Sequence, residues 1–381
     1  MIYFDNAATT HYKPQCVIDA VNLALTKFSV SAHRGTSKVS WLLEEKLQET
    51  RLLATAVAGG KDATAVFSQN CTSALNLAIL GTAKRGGHVV TTATEHNSVL
   101  RPLMQLKNRG IVDVSVVYPN ENGQVTPQSV IDALRPNTYL VAINNVSNVT
   151  GTKQQIGVIS HAVKQVKSDT LVLCDCAQSV GYVVLDMAKD GIDMMAFPTH
   201  KGLHGVQGCG VLVFDNKVHP LPVVYGGTGS QSNSLLQPNT APDGLESGTL
   251  NTPAIMGANA AIRWWAANHK SNAAKLRQLQ KNLLAGLNSL PNIQVYSQPN
   301  DSGIVAFNVK DWDSSVVADY LANNHDIATR AGLHCAPLMH KYLGTLRTGV
   351  VRASLGVDNT AADVTSFLNF VEDICKKDTL Q

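Results

Sequence analysis

Between about residues 14 and 215, short runs of Val, Ile, Leu and Ala alternate with segments of helical period, and this alternation constrains the fold more than any other feature. The runs are Val89 to Ala93, Val114 to Tyr118, Tyr139 to Val146, Leu171 to Ala177, Met194 to Phe197 and Gly210 to Phe214. A strand that is apolar on successive residues has no water-facing side and must be covered above and below. Helices placed between such strands supply the cover. The pattern therefore predicts an α/β fold with a mainly parallel sheet, whose ligands bind beyond the carboxyl ends of the strands.

Pro14 opens a helix whose Val17, Val21, Leu25 and Phe28 recur on one face, and Leu42 to Ala58 is a second helical stretch. After Pro253 the pattern changes. A long helical region runs through Leu290, followed by short strands at Ile304 to Val309 and Val350 to Leu355 mixed with helices, which reads as a smaller α+β domain. The chain has 381 residues, beyond the size at which one core usually stops growing, so two packed domains are expected. The Gly/Ser/Asn-rich stretch from Gly226 to Gly248 reads as a long loop, and loops of that length in compact domains are functional or mobile.

Composition excludes several function classes. Hydrophobic residues make up 44% and charged residues 15%, which suits a globular chain, and a net charge of +3 without a basic stripe makes nucleic acid an unexpected partner. No stretch approaches a membrane span and no leader pattern opens the chain, so a soluble cytoplasmic protein is expected. Seven widely spread cysteines are expected to be reduced thiols. Cys174 and Cys176 have no second close Cys/His pair and lie in an apolar run, so they read as buried strand thiols and no metal is expected.

Three groups fall at strand ends. Asp175 closes one strand, Gln178 lies three residues later, and Thr199-His200-Lys201 follows the next strand. Alone, Lys201 reads as a solvated loop lysine; together, a carboxylate, an amide, an imidazole and an amine at one sheet edge suit a pyridoxal cofactor. The lysine forms an imine and the Asp pairs with the pyridinium nitrogen, so that the ring acts as an electron sink. Asn70-Cys71-Thr72-Ser73 precedes the helical pattern Leu75, Ala78, Ile79, and it reads equally as an anion site at a helix N-terminus or as an ordinary N-cap. His96, after the strand ending at Ala93, is placed to stack on a cofactor ring or is a plain loop histidine.

Several further segments occur in a fixed order with these. They are Asp5-Asn6-Ala7-Ala8-Thr9-Thr10, His33-Arg34-Gly35, Glu95-His96-Asn97, Ser147-Asn148-Val149-Thr150-Gly151, Asp175-Cys176-Ala177-Gln178, His200-Lys201, Ser247-Gly248-Thr249, Arg330-Ala331-Gly332-Leu333-His334-Cys335-Ala336 and Val351-Arg352-Ala353-Ser354. Together they resemble the cysteine desulfurase family of fold-type-I, class V pyridoxal-phosphate enzymes, from Asp5 to about Phe370.

The resemblance implies a large pyridoxal-phosphate-binding domain over 14-252, with a seven-stranded type of sheet, and a small domain of 1-13 and 253-381 carrying the catalytic cysteine loop. It implies that Lys201 is the Schiff-base lysine, that Asp175 pairs with the pyridine nitrogen, and that Gln178 bonds the ring hydroxyl. Thr72, Thr199 and His200 would bind the phosphate of pyridoxal 5'-phosphate beside Cys71, and Thr249 would reach the phosphate of the neighbouring subunit in a homodimer. His96 would stack on the ring and move protons. Asn148 and Arg352 would hold the substrate carboxylate, with Arg330 and His33 also at the substrate. Cys335 would be the nucleophile that takes sulfur from L-cysteine, releasing L-alanine, before delivery to a sulfur-acceptor protein in pathways such as iron-sulfur cluster biogenesis. Its neighbours Arg330 and His334 favour an ionised thiol.

Some positions depart from the family pattern. Ala336 is followed directly by Pro337, Cys71 stands where relatives carry Ala, Gly or Thr, and Val206 replaces a Pro. The rival readings are a selenocysteine lyase acting on L-selenocysteine, a class V aminotransferase or epimerase, for which Cys335 is dispensable, and a non-catalytic partner protein.

Overall fold

The structure, a computed structural model, describes residues 1–32, 35–310 and 312–377. The chain enters as strand β1 (Ile2–Tyr3) and helices α1 (Gln15–Thr26) and α2 (Lys38–Val57). Seven strands follow: β2 (Ala63–Ser68), β3 (Gly87–Thr92), β4 (Val112–Val117), β5 (Thr138–Asn144), β6 (Leu171–Asp175), β7 (Met194–Pro198) and β8 (Gly210–Asp215). Helices α3 (Cys71–Gly81), α4 (Asn97–Asn108), α5 (Pro127–Asp132) and α6 (Ile156–Val166) lie between them.

These strands form one sheet in the order β2-β8-β7-β6-β5-β3-β4. Neighbours pair in parallel except at β8, which runs antiparallel to both β7 and β2. The other six strands therefore point the same way, and their carboxyl ends share one edge. The expected mainly parallel α/β sheet is what forms.

The six apolar runs recur as β3 to β8, and their lack of period has a simple cause. Val90, Val141, Ile143, Val172 and Cys174 enter the core on one face, while Val89, Leu140, Ala142 and Leu173 enter the core on the other. All of them are fully buried. Cys174 and Cys176 are buried thiols, as expected.

Strand β2 was not among the expected runs. It sits at the sheet edge with only Ala65, Val66 and Phe67 buried, so its sequence carries too little apolar signal. Helix α2 begins four residues before Leu42, because the Ser37 hydroxyl caps it by accepting from Ser40 N at 3.2 Å. Leu25, expected on the buried face of α1, is 59% exposed, whereas Val17, Ala24 and Phe28 are buried.

Beyond the sheet, α7 (Thr252–Ser289) belongs to two cores. Its Ala254, Ile255, Ala258 and Ile262 pack into the large sheet's core; Leu276, Leu279, Leu283 and Leu287 pack with Phe4, Phe307 and Phe367 in the second. Gly257 lets α7 close on α1, since a Cβ there would lie 3.0 Å from Val21 Cγ2. The remaining elements are β9 (Ile293–Val295), β10 (Ile304–Val309), α8 (Ser314–His325), β11 (Ile327–Ala328), α9 (Pro337–Leu343), β12 (Val351–Ser354) and α10 (Ala361–Cys375). Strands β12-β10-β9 make an antiparallel sheet and β1 pairs with β11. Among the described residues, no helix is long and apolar enough to cross a membrane.

Candidate active site

A cavity of about 230 Å³ opens at the shared carboxyl edge, lined by Cys71, Thr72, His96, Asn148, Asp175, Gln178, His200 and Lys201 among others. The topology explains the convergence. Cys71 and Thr72 follow β2, His96 follows β3, Asn148 follows β5, Asp175 ends β6, and His200 and Lys201 follow β7.

Lys201 is half-buried, and its Nζ has no hydrogen bond or ion pair among the described residues. Burial pushes its amine below the usual lysine range; Cys71 and Asp175 oppose this, while Arg352 and Arg330 add to it. Asp175 is 5% exposed, and its Oδ1 accepts from Ala177 N at 2.9 Å and faces the Cys71 thiol at 3.9 Å. Burial raises the Asp175 carboxyl, against that backbone bond and the Lys201 charge. The same burial, with Asp175 beside it, holds the Cys71 thiol protonated.

His96 is the N-cap of α4, a role more often filled by Ser, Thr, Asp or Asn. Its Nδ1 accepts from Ser98 N at 3.0 Å, so the neutral ring carries its proton on Nε2. Burial, then Lys201 and three arginines, push the ring down to about 4, and it is neutral at pH 7. His200 is likewise down at about 4, by burial and the charges of Lys201 and Lys13, with Nδ1 3.1 Å from the Thr9 hydroxyl.

Helix α3 is capped by Asn70, whose Oδ1 accepts from Ser73 N at 3.0 Å. The cap therefore exists, and it leaves the N–H groups of Cys71 and Thr72, at the cavity wall, without an acceptor among the described residues. The Thr72 hydroxyl meets Ser98 Oγ at 2.7 Å, which joins the starts of α3 and α4. Gln178 donates from Nε2 to Ala7 O at 2.8 Å, and its Oε1 is buried without a partner.

Arg352 is 3% exposed on β12. Its Nη1 donates to Asn148 O at 2.9 Å and its Nη2 to Asp5 Oδ1 at 2.8 Å, while Nε has no partner. Removing Asp5 would leave this buried cation without its carboxylate. The Asn148 side chain donates to His334 O at 2.6 Å and leaves Oδ1 unpaired.

Cys335 is exposed and does not line the cavity. Its carbonyl accepts from Asn97 N, the first residue of α4, at 2.7 Å. His334 and Cys335 both have left-handed backbones, with φ of 47° and 57°, a costly state for residues with a Cβ. Arg330 is exposed, and its backbone pairs with that of Arg352.

Five expected positions do not line the cavity: Cys335, Arg352 and Arg330, described above, and Thr199 and Thr249. The Thr199 side chain is fully buried and its hydroxyl donates to Cys209 O at 3.2 Å. Thr249 lines a separate cleft with Gly227, Thr228, Gly248 and Leu250, outside the Lys201 cavity of its own chain. His33 lies outside the described residues. Sequence reasoning gave no role to Ser98 or Asp5. A Ser two residues after His96, at a helix start, was the available signal for the first.

The family profile described as aminotransferase class-V matches residues 2–367. A protein of Methanothermobacter thermautotrophicus named probable cysteine desulfurase is 33% identical, over 98% of this chain and 94% of its own length. A cysteine desulfurase of Escherichia coli is 30% identical, over 96% and 91%. The solved apo structure of the cysteine desulfurase from Thermococcus onnurineus superposes with a TM-score of 0.89 at 30% identity, over 98% of this chain and 94% of that one.

Proposed function

The chain belongs to the aminotransferase class-V family, and from that membership we infer that it is a pyridoxal-phosphate-dependent cysteine desulfurase, taking sulfur from L-cysteine onto Cys335. The observation that carries this reading is the unpaired Lys201 amine on a cavity shared with Asp175 and His96, with Cys335 tethered through its own carbonyl to the helix that His96 caps.

The residues fit the cofactor. Asp175 has one oxygen bound by the chain and one free of protein partners, as a pyridinium N–H needs. Gln178 Oε1 is an orphaned buried acceptor, and the free N–H groups at the start of α3 suit a phosphate, with Thr72 and His200 beside them. Bound there, pyridoxal phosphate supplies an electron sink for the α-carbon of an amino acid. Lys201 is the amine that holds it covalently, and its lowered pKa favours the neutral, nucleophilic form.

Arg352 and Asn148, bonded to each other, are the pair for the substrate carboxylate, and the family resemblance adds Arg330 and His33 to them. Neutral His96 offers its Nε2 proton towards the cavity. The Cys335 thiolate attacks the substrate sulfur: a sulfur–sulfur bond forms, the carbon–sulfur bond breaks with its electron pair kept by the substrate carbon, that carbon takes up a proton, and the product leaves as L-alanine. Exposure of Cys335 then suits transfer of the persulfide sulfur to an acceptor protein. The test is mass spectrometry of the protein after L-cysteine without reductant: the peptide containing Cys335 gains one sulfur atom. A gain on another cysteine would refute the assignment.

We further propose a homodimer in which Thr249 serves the partner's phosphate site. Its position on a cleft away from its own Lys201 supports this, and a fully active monomer in solution scattering would exclude it. The seven free cysteines support a reducing, cytoplasmic setting.

A further inference from the structure

The segment Asp5-Asn6-Ala7-Ala8-Thr9-Thr10 stands out in the sequence, yet none of its residues lines the Lys201 cavity. The structure shows it touching three residues of the site, Arg352, Gln178 and His200. Asp5 Oδ1 accepts from Arg352 Nη2, Ala7 O accepts from Gln178 Nε2, Thr9 Oγ1 meets His200 Nδ1, and Thr10 N and Oγ1 donate to His200 O. The segment is itself fixed to β12, since Asn6 N donates to Ser354 O and Ala7 N to Ser354 Oγ. It is a strap from the strand carrying Arg352 to the loop carrying Lys201.

We propose that Asp5 is a positioning residue for the substrate carboxylate: it fixes the guanidinium of Arg352, and so selects α-amino acids over amines that lack a carboxylate. The proposal rests on the pyridoxal reading above. An arginine side chain has many rotamers, and a planar fork recognises a carboxylate only when its plane is held. Here two anchors on different nitrogens hold it, the Asn148 carbonyl at Nη1 and the Asp5 carboxylate at Nη2. They leave Nε, a buried donor with no partner, as the group still to be satisfied. Asp5 also supplies the only ion pair of this buried cation among the described residues, while Arg330 is a like charge nearby. Without Asp5 the guanidinium keeps one anchor and is free to turn about it.

The test compares two ligands that differ by the carboxylate. L-Alanine and ethylamine are titrated into the holoenzyme and followed by the absorbance of the bound cofactor, a measurement that needs no turnover. Asp5→Ala is expected to weaken L-alanine at least 10-fold and to leave ethylamine within 2-fold. Asp5→Asn, which keeps the acceptor oxygen and loses only the charge, is expected to fall between Asp5→Ala and the wild type, and it serves should Asp5→Ala fold poorly. Equal weakening of both ligands, or L-alanine binding as tightly as in the wild type, would overturn the proposal. A wild-type protein whose spectrum responds to neither amine would overturn the pyridoxal reading, and this proposal with it.

Discussion

The side-chain amide of Asn148 donates a 2.6 Å hydrogen bond to the carbonyl oxygen of His334, which ties the segment bearing Cys335 to the loop after β5. Asn148 lines the Lys201 cavity, and so the Cys335 segment is latched to a residue proposed to hold substrate. His334 and Cys335 sit in left-handed backbone conformations, which persist only where surrounding contacts over-determine them.

Asn148→Ala therefore leaves the buried His334 carbonyl without its donor. A buried group left unpaired costs about 1–3 kcal/mol, equivalent to roughly 5- to 150-fold in a local opening equilibrium. Hydrogen exchange at residues 332–336 is expected to accelerate by that order while exchange in β5 and β6 stays slow. Unchanged exchange in the segment would show that the latch contributes nothing.

Lys201→Ala removes the only amine on the cavity wall among the described residues. The purified variant is expected to lose the yellow absorbance of the covalently held cofactor and all turnover. Borohydride-reducible linkage at another lysine would contradict the assignment.

The fold was legible because five of the six runs, those of β3 and β5 to β8, are buried on both faces and leave continuous apolar stretches, while edge strand β4 still shows its valines. Edge strand β2 was not, since only half of it is buried. Lys201, Asp175 and Gln178 were legible because strand ends place them and their spacing is local. The pairing of Asp5 with Arg352 spans 347 residues of sequence, and no local pattern encodes which carboxylate a distant guanidinium will meet. The bond of the Thr199 hydroxyl to Cys209 O, in the turn beside His200 and Lys201, was not legible either, since no local pattern encodes it. His96 as a helix cap escaped notice because histidine rarely fills that position.

Glu95, next to His96, is fully buried, and burial raises its carboxyl to about 8, against bonds from the Thr92 hydroxyl and Asn144 N and with Asp175 adding to the rise. Its ordinary value is 4.5, so between pH 4.5 and 8 the folded protein holds a proton that the unfolded chain releases. This contribution is full below about pH 4.5 and is lost as pH rises through 8. Its size is on the order of a few kcal/mol. Glu95→Gln removes the titration, so the unfolding free energy of the variant relative to wild type is expected to increase steadily with pH across that window. A pH-independent difference in denaturant titrations would show that Glu95 is ionised in the native state.

Whether Cys335 takes the sulfur is decided by a single-turnover measurement of L-alanine release by Cys335→Ala. Cys335 is exposed, lies outside the cavity lining, and makes no contact with Lys201, Asp175 or Gln178 among the described residues, so cofactor and substrate binding should survive its loss. Only the attack on sulfur needs the thiolate. The account predicts that the variant keeps its cofactor absorbance and still responds spectrally to L-cysteine, yet releases little or no L-alanine. Release of L-alanine at the wild-type rate would contradict it.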